Sequence, residues 1–171
     1  MRYVSKINLL IPVLLLFLFS GCGVYGFRGN NPPEGIKSIN IPLFEDVSGF
    51  SQPGVKERFT ETLKNLVISD NTFQLTDRTL ADGLVSGTIK TITDDPLVIS
   101  GNETVTKRKI TITVDVNFQN IKKQRSIWNK TFSNFGEYNS DNTGFSNRDA
   151  GVIEATNKIC QDILNDLTSN W

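Results

Sequence analysis

The chain contains no histidine. That removes the usual proton acceptor near neutral pH and the commonest protein ligand for transition metals. A Ser-His-Asp or Cys-His nucleophile system is therefore impossible. Cysteine is nearly absent too, with Cys22 and Cys160 alone among 171 residues. No Cys-x-x-Cys pair and no glycine-rich phosphate loop occur. An excess of one charge is also missing, since 18 basic residues balance 18 acidic ones. Nucleic acid is not an expected partner, because gripping it takes a strongly basic face. What remains for acid–base chemistry is carboxylate, and the nearest thing to a reactive pair is Asp94-Asp95. With Pro96 behind it, that run reads as a turn after a strand. We read the chain as a binding or structural protein and not an enzyme, with no metal and no cofactor.

Long apolar runs are lacking as well. Ile7 to Phe19 is a sustained apolar stretch of about 13 residues, short of the roughly 20 that a spanning helix needs. Pro12 interrupts it. Arg2 and Lys6 precede it and Phe19-Ser20-Gly21-Cys22 closes it. This is the layout of an export signal: basic start, apolar middle, small residues before the cut. A retained membrane anchor and an ordinary secretory signal are the competing readings of the same segment. The closing quartet resembles the lipobox of bacterial lipoproteins, with Phe19 where Leu is preferred. That resemblance implies cleavage before Cys22, a diacylglycerol on its thiol and an acylated new N-terminus. Three buried acyl chains, at about 0.8 kcal/mol per methylene, would make the membrane attachment permanent. Gly23 follows Cys22 where an inner-membrane retention signal would place Asp, so the address resembles an outer-membrane one. The covalent lipid on Cys22 is the one non-protein group expected.

The chain then divides into a lipoprotein signal peptide (1–21), a lipidated tether (22–35) and a single domain (36–171). The tether is rich in Gly, Asn and Pro. The mature chain from Cys22 has 150 residues and a net charge of −2, the size of one domain. With Cys22 acylated, Cys160 has no disulfide partner and reads as a small buried hydrophobe.

Within the domain, Ile39, Ile41 and Leu43 alternate with polar or turn-prone neighbours along Ile36–Phe44, which predicts a strand with one buried face. Pro42 ends that strand or sets it at an edge. Ser51 or Gln52 would cap a helix that has Pro53 at its first position. Val55, Phe59, Leu63, Leu66 and Val67 carry that helix to about Ser69. Strands follow at 72–77 and 83–93, the second broken at Asp94-Asp95-Pro96. The clearest pattern comes next. Ile110, Ile112, Val114, Val116 and Phe118 alternate strictly with Thr111, Thr113, Asp115 and Asn117, as in a half-buried strand. Residues 120–124 make a turn, and 125–135 return as the antiparallel partner. After a loop at 136–146, a helix begins near Asn147. Its apolar stripe is Val152, Ala155, Thr156, Ile159, Cys160, Ile163, Leu164 and Leu167. The expected fold class is α+β: a two-layer sandwich with a mostly antiparallel sheet of four to five strands and two helices packed on one face.

Four segments, taken with the lipobox, resemble the LptE-like lipopolysaccharide-assembly lipoproteins in their Bacteroidetes-type form. These are Cys22-Gly23-Val24-Tyr25-Gly26-Phe27, Gly35 to Phe44 with its Ile41-Pro42-Leu43-Phe44 ending, Arg108-Lys109-Ile110-Thr111-Ile112-Thr113-Val114, and Ile127-Trp128 with Phe132. The resemblance spans the mature domain. It implies a lipoprotein on the periplasmic face of the outer membrane that plugs an LptD-like β-barrel and helps it insert lipopolysaccharide. A second reading makes the chain a lipoprotein subunit of another cell-envelope or secretion complex. Some members of the family bind lipopolysaccharide through basic residues, and lipid A phosphates favour Arg and Lys. The candidates are Lys107, Arg108 and Lys109 before the central strand, and Lys122, Lys123 and Arg125 in the hairpin turn. The other reading of all six is solvated charge that blunts strand edges and turns. Phe135, Tyr138, Phe145 and Trp171 are either partner contacts or satellite core; Trp128 and Phe132 are assigned to the core.

Overall fold

A computed structural model describes residues 32–100, 104–140 and 145–169, with side chains described outside 98–100, 104–106 and 145–146. The expected signal segment, Cys22, most of the expected tether, the Phe145 side chain and Trp171 lie outside the described residues. The elements run β1 (Ser38–Asn40), β2 (Glu45–Asp46), α1 (Val55–Asp70), β3 (Gln74–Leu75), β4 (Gly83–Ser100), β5 (Thr104–Asn120), β6 (Arg125–Asn139) and α2 (Phe145–Thr168). They form the expected two-layer α+β sandwich. The six-stranded sheet has the order β3-β1-β4-β5-β6, with β2 also pairing β4.

The sheet is mostly antiparallel, as expected, but not purely so: it is mixed. The three short strands β1, β2 and β3 run parallel to their neighbours. The chain passes through α1 between β2 and β3, and a helical crossover returns a strand in parallel. The three long strands β4, β5 and β6 are antiparallel, as short turns require.

Strict alternation along β5 settles its orientation. Ile110, Ile112, Val114, Val116 and Phe118 are all fully buried, and the intervening polar residues point to the opposite face. Phe118 sits edge-on to Phe73 and Trp128, at 6.4 and 5.8 Å between ring centroids. The whole predicted stripe of α2 is buried, Cys160 included. The Cys160 thiol lies 3.7 Å from the Phe59 carbonyl of α1, so the two helices touch side by side over the sheet. At Gly136 of β6 the α2 backbone approaches closely: a Cβ there would meet Gly151 O and lie 2.8 Å from Ala155 N.

Several boundaries differ from expectation. Leu43 is 52 % exposed while Phe44 is buried. Strand β1 ends at Asn40, so the two-residue period lapses before Pro42 and Phe44 takes the inward place. Phe44 is fixed by its own N–H donating to Thr60 Oγ1 at 3.0 Å and by ring contact with Phe59. Neither Ser51 nor Gln52 caps α1; Gly54 precedes it in a left-handed conformation (φ 80°) with no side-chain cap. Strand β4 does not break at Asp94-Asp95-Pro96 but runs through them to Ser100. Strand β6 likewise continues past Phe135 to Asn139. The extra residues that disturb the ladders along Lys107–Asn120 all sit on neighbouring strands, at Lys90, Leu97 and Ile127.

Candidate functional site

The helices cover one face of the sheet and leave the other bare. The bare face of the long strands is built from hydroxyls, amides and scattered charges. Thr113 Oγ1 lies 3.1 Å from Ser133 Oγ. Thr131 Oγ1 donates to Asp115 Oδ1 at 2.6 Å, and Ser126 Oγ donates to Asn117 Oδ1 at 3.1 Å. These cross-strand bonds order the polar side chains without burying them. Phe135 is the aromatic on this surface, 39 % exposed. Lys109 and Lys158 stand over its ring at 5.8 and 5.0 Å, within cation–π range.

On the covered face, where the long strands reach the start of α2, four polar side chains converge. The Tyr138 hydroxyl donates to Asp94, at 2.8 Å from Oδ2. Arg108 Nε donates to Asp94 Oδ1 at 2.8 Å and its Nη2 donates to the Asp94 carbonyl at 2.8 Å. Arg148 Nε of α2 lies 3.4 Å from Asp94 Oδ2, and its guanidinium stacks 4.2 Å from the Phe50 ring centre. The Asp94 bond holds the Arg108 guanidinium more firmly protonated than usual. Burial first, and the Asp94 carboxylate second, push the Tyr138 phenol up. Beside this cluster Asp149 accepts from Gln52 at 2.6 Å and from Arg58, joining α1 to α2. Sequence reading missed this network, since its members are far apart in the chain and carry no motif. Asp95, one residue on, pairs across from Lys109 on the bare face. The two adjacent carboxylates thus point to opposite sides of the sheet and cannot act as a pair.

The six basic candidates do not form one site. Lys107, Arg108 and Lys109 lie at one end of β5, and Lys122, Lys123 and Arg125 in the turn at the other. The 13 residue steps from Lys107 to Asn120 span roughly 44 Å of strand. Arg108 is committed to Asp94. Lys107 Nζ lies 3.5 Å from Glu137 Oε2, with both side chains largely exposed. Lys122 pairs with Asp82, which also accepts from the Lys37 and Ser38 amides at 3.0 and 3.1 Å. Lys122 first, then the Lys37 amide and the Ser38 hydroxyl, hold the Asp82 carboxyl well below the usual carboxylate range. Lys123 and Arg125 are exposed and have no ion pair among the described residues. They line a shallow groove of about 400 Å³ with Pro33, Glu34, Ile36 and Ile127.

Trp128 is buried, and Phe132 and Tyr138 pack against the core from partly buried positions. Among the described residues no group of His, Cys, Asp or Glu is placed to hold a metal ion. No described helix is long and apolar enough to cross a membrane.

Fold and surface together define a small two-layer sandwich domain, helix-backed on one side and hydroxyl-lined on the other. The chain belongs to the LptE family, described as lipopolysaccharide-assembly, whose profile matches residues 36–167. Solved structures share the fold at low identity. The hypothetical protein CT253 from Chlamydia trachomatis has a TM-score of 0.59 at 10 % identity, covering 78 % of this chain and 96 % of its own. A minor lipoprotein from Acinetobacter baumannii has a TM-score of 0.53 at 13 % identity, covering 78 % and 93 %. PelC from Paraburkholderia phytofirmans, solved as a dodecamer, has a TM-score of 0.52 at 9 % identity, covering 82 % and 94 %. Comparison with curated proteins gives no match.

Proposed function

We propose that this chain is an outer-membrane lipoprotein, acylated at Cys22, that lodges within an LptD-like β-barrel and supports delivery of lipopolysaccharide to the outer leaflet. Membership of the LptE family supports the assembly role. The observation that carries the plug reading is the bare face of β4, β5 and β6. Its hydroxyls and amides are already ordered by their own cross-strand bonds. Such a surface can lie against a hydrated wall without uncovering apolar area or stranding polar groups. With Arg108 engaged by Asp94, Lys107 and Lys109 remain as phosphate candidates at the end of the domain farther from the tether.

Crosslinking in intact cells tests the reading. Residues on the bare face, such as Thr131 and Ser133, should crosslink to a barrel of LptD type, and depletion of the chain should lower surface lipopolysaccharide. Recovery of the chain alone, with the barrel still assembled, would sink it. Ring formation by the purified protein in light scattering would favour a subunit of another envelope complex.

A further inference from the structure

We propose that the β5–β6 turn is the membrane-facing tip of the domain, and that Lys123 and Arg125 contact anionic phospholipid headgroups of the leaflet that holds the anchor. The inference rests on the acylated Cys22 of the preceding section and adds which end of the domain that anchor orients.

Topology supplies the first argument. Strand β4 begins at Gly83 opposite Asn120, and β1 begins beside it in parallel. The chain leaving the tether therefore enters the domain at the end that carries the 121–124 turn. Pro33 and Glu34 line the same groove as Lys123 and Arg125, so the point of entry and the two cations are neighbours.

Length supplies the second. Cys22 and Pro32 are ten residues apart, so the chain between them reaches at most about 35 Å. From Asn120 to Lys107 the domain extends roughly 44 Å along β5. An inverted, end-on stance with Lys107 at the leaflet would need more tether than exists. The opposite stance, turn downward, costs the tether nothing.

Charge supplies the third. Lys122, Lys123 and Arg125 cluster within four residues, and among the described residues only Lys122 is neutralised, by Asp82. Gln124 holds the tip in a left-handed conformation (φ 48°), and all four side chains are exposed. Glu34 is the acidic residue in the groove, which leaves the Lys123–Arg125 pair with one uncompensated positive charge there. Basic residues beside a lipid anchor are drawn to anionic headgroups, and the attraction fades within a Debye length of about 10 Å at 0.1 M salt.

The test uses the full acylated protein in vesicles of phosphatidylethanolamine, with or without phosphatidylglycerol, doped with a headgroup-quencher lipid. A fluorophore is placed by Gln124→Cys at the turn or by Asn139→Cys at the far end; the Cys160 thiol is buried. Quenching should be strong at position 124, weak at 139, greater with phosphatidylglycerol and reduced by salt. Lys123→Glu with Arg125→Glu should roughly halve it, and the salt titration on the otherwise unchanged turn reads the same contact without relying on that variant. Equal quenching at both positions, none at either, or indifference to salt and charge reversal would overturn the inference. Here any other acidic partner for the cations would show as salt dependence with no phosphatidylglycerol dependence, which also overturns it. Mass spectrometry of the same preparation reports the acyl mass on residue 22. A misplaced turn on an acylated chain therefore fails this inference alone, while a chain without that mass fails both.

Discussion

The hydroxyl of Tyr138 on β6 reaches past β5 to the carboxylate of Asp94 on β4, at 2.8 Å. Arg108 lies between them and donates to the same carboxylate. One acidic side chain thus clamps all three long strands where they approach α2. Asp94→Ala leaves Arg108 Nε and the Tyr138 hydroxyl without their shared acceptor and Arg148 without its ion-pair partner. It should cost about 2 kcal/mol in urea denaturation, the scale for stranding part-buried donors. Tyr138→Phe removes one donor and should cost about half as much. A loss at Asp94 within error of zero would show that the clamp does not hold the strands.

Gly136 is required by proximity. A methyl group there would collide with the Gly151 carbonyl, so Gly136→Ala must lift the start of α2 from β6. A loss of about 2 kcal/mol is expected, the usual range for overpacking. Hydrogen exchange should show it first in the α2 residues nearest Gly151.

Asp82 gives a pH dependence with a defined sign. Its folded carboxyl titrates well below the ordinary 3.8, so it adds stability above that value and loses it as pH falls toward the folded one. Asp82→Asn should therefore be less stable than the parent at pH 7, with the difference shrinking below about pH 4. Urea midpoints at the two pH values test this; a gap that widens in acid would contradict the assignment.

Cys160 should be silent in the folded chain. Burial pushes its thiol well above the ordinary range, and the thiolate is the reactive form. Maleimide labelling at about pH 8 should proceed at the rate of global opening and become fast only in denaturant. Rapid labelling of folded protein would mean that α1 and α2 part more readily than their packing indicates.

Phe118 anchors the core between Phe73 and Trp128. Phe118→Ala should cost about 4 kcal/mol, within the range for large core truncations. By contrast Lys107→Ala should change stability by less than about 1 kcal/mol, because its ion pair with Glu137 is exposed.

The parts of the fold legible in the sequence were those fixed by local period. Strand β5 shows its two faces residue by residue, and α2 displays its entire buried stripe. What escaped was decided at a distance. Asp94-Asp95-Pro96 carries turn chemistry, yet Arg108 and Tyr138 satisfy Asp94 inside the strand. Pro96 is tolerated because, among the described residues, β4 has no second neighbour there; β2 pairs it at Thr88 and Ile89. The parallel pairing of β1, β2 and β3 depends on which strands the helical crossover returns beside, and stretches of two or three residues are too short to show a period. At the candidate site, the two basic groups at either end of β5 were legible, but not that Arg108 and Lys122 are engaged by Asp94 and Asp82. Arg148 gave no signal at all, since its partner Asp94 lies 54 residues earlier.

The irregularities flanking β5 have an evolutionary corollary. Residues can be added at Lys90, Leu97 or Ile127 because a bulge there leaves the alternation of the central strand intact. A single insertion or deletion between Ile110 and Phe118 would instead turn the domain inside out along that strand, exchanging isoleucines for threonines in the interior. Side chains on β5 are open to substitution within their kind, whereas its residue count is not, and gaps among relatives should fall everywhere but there.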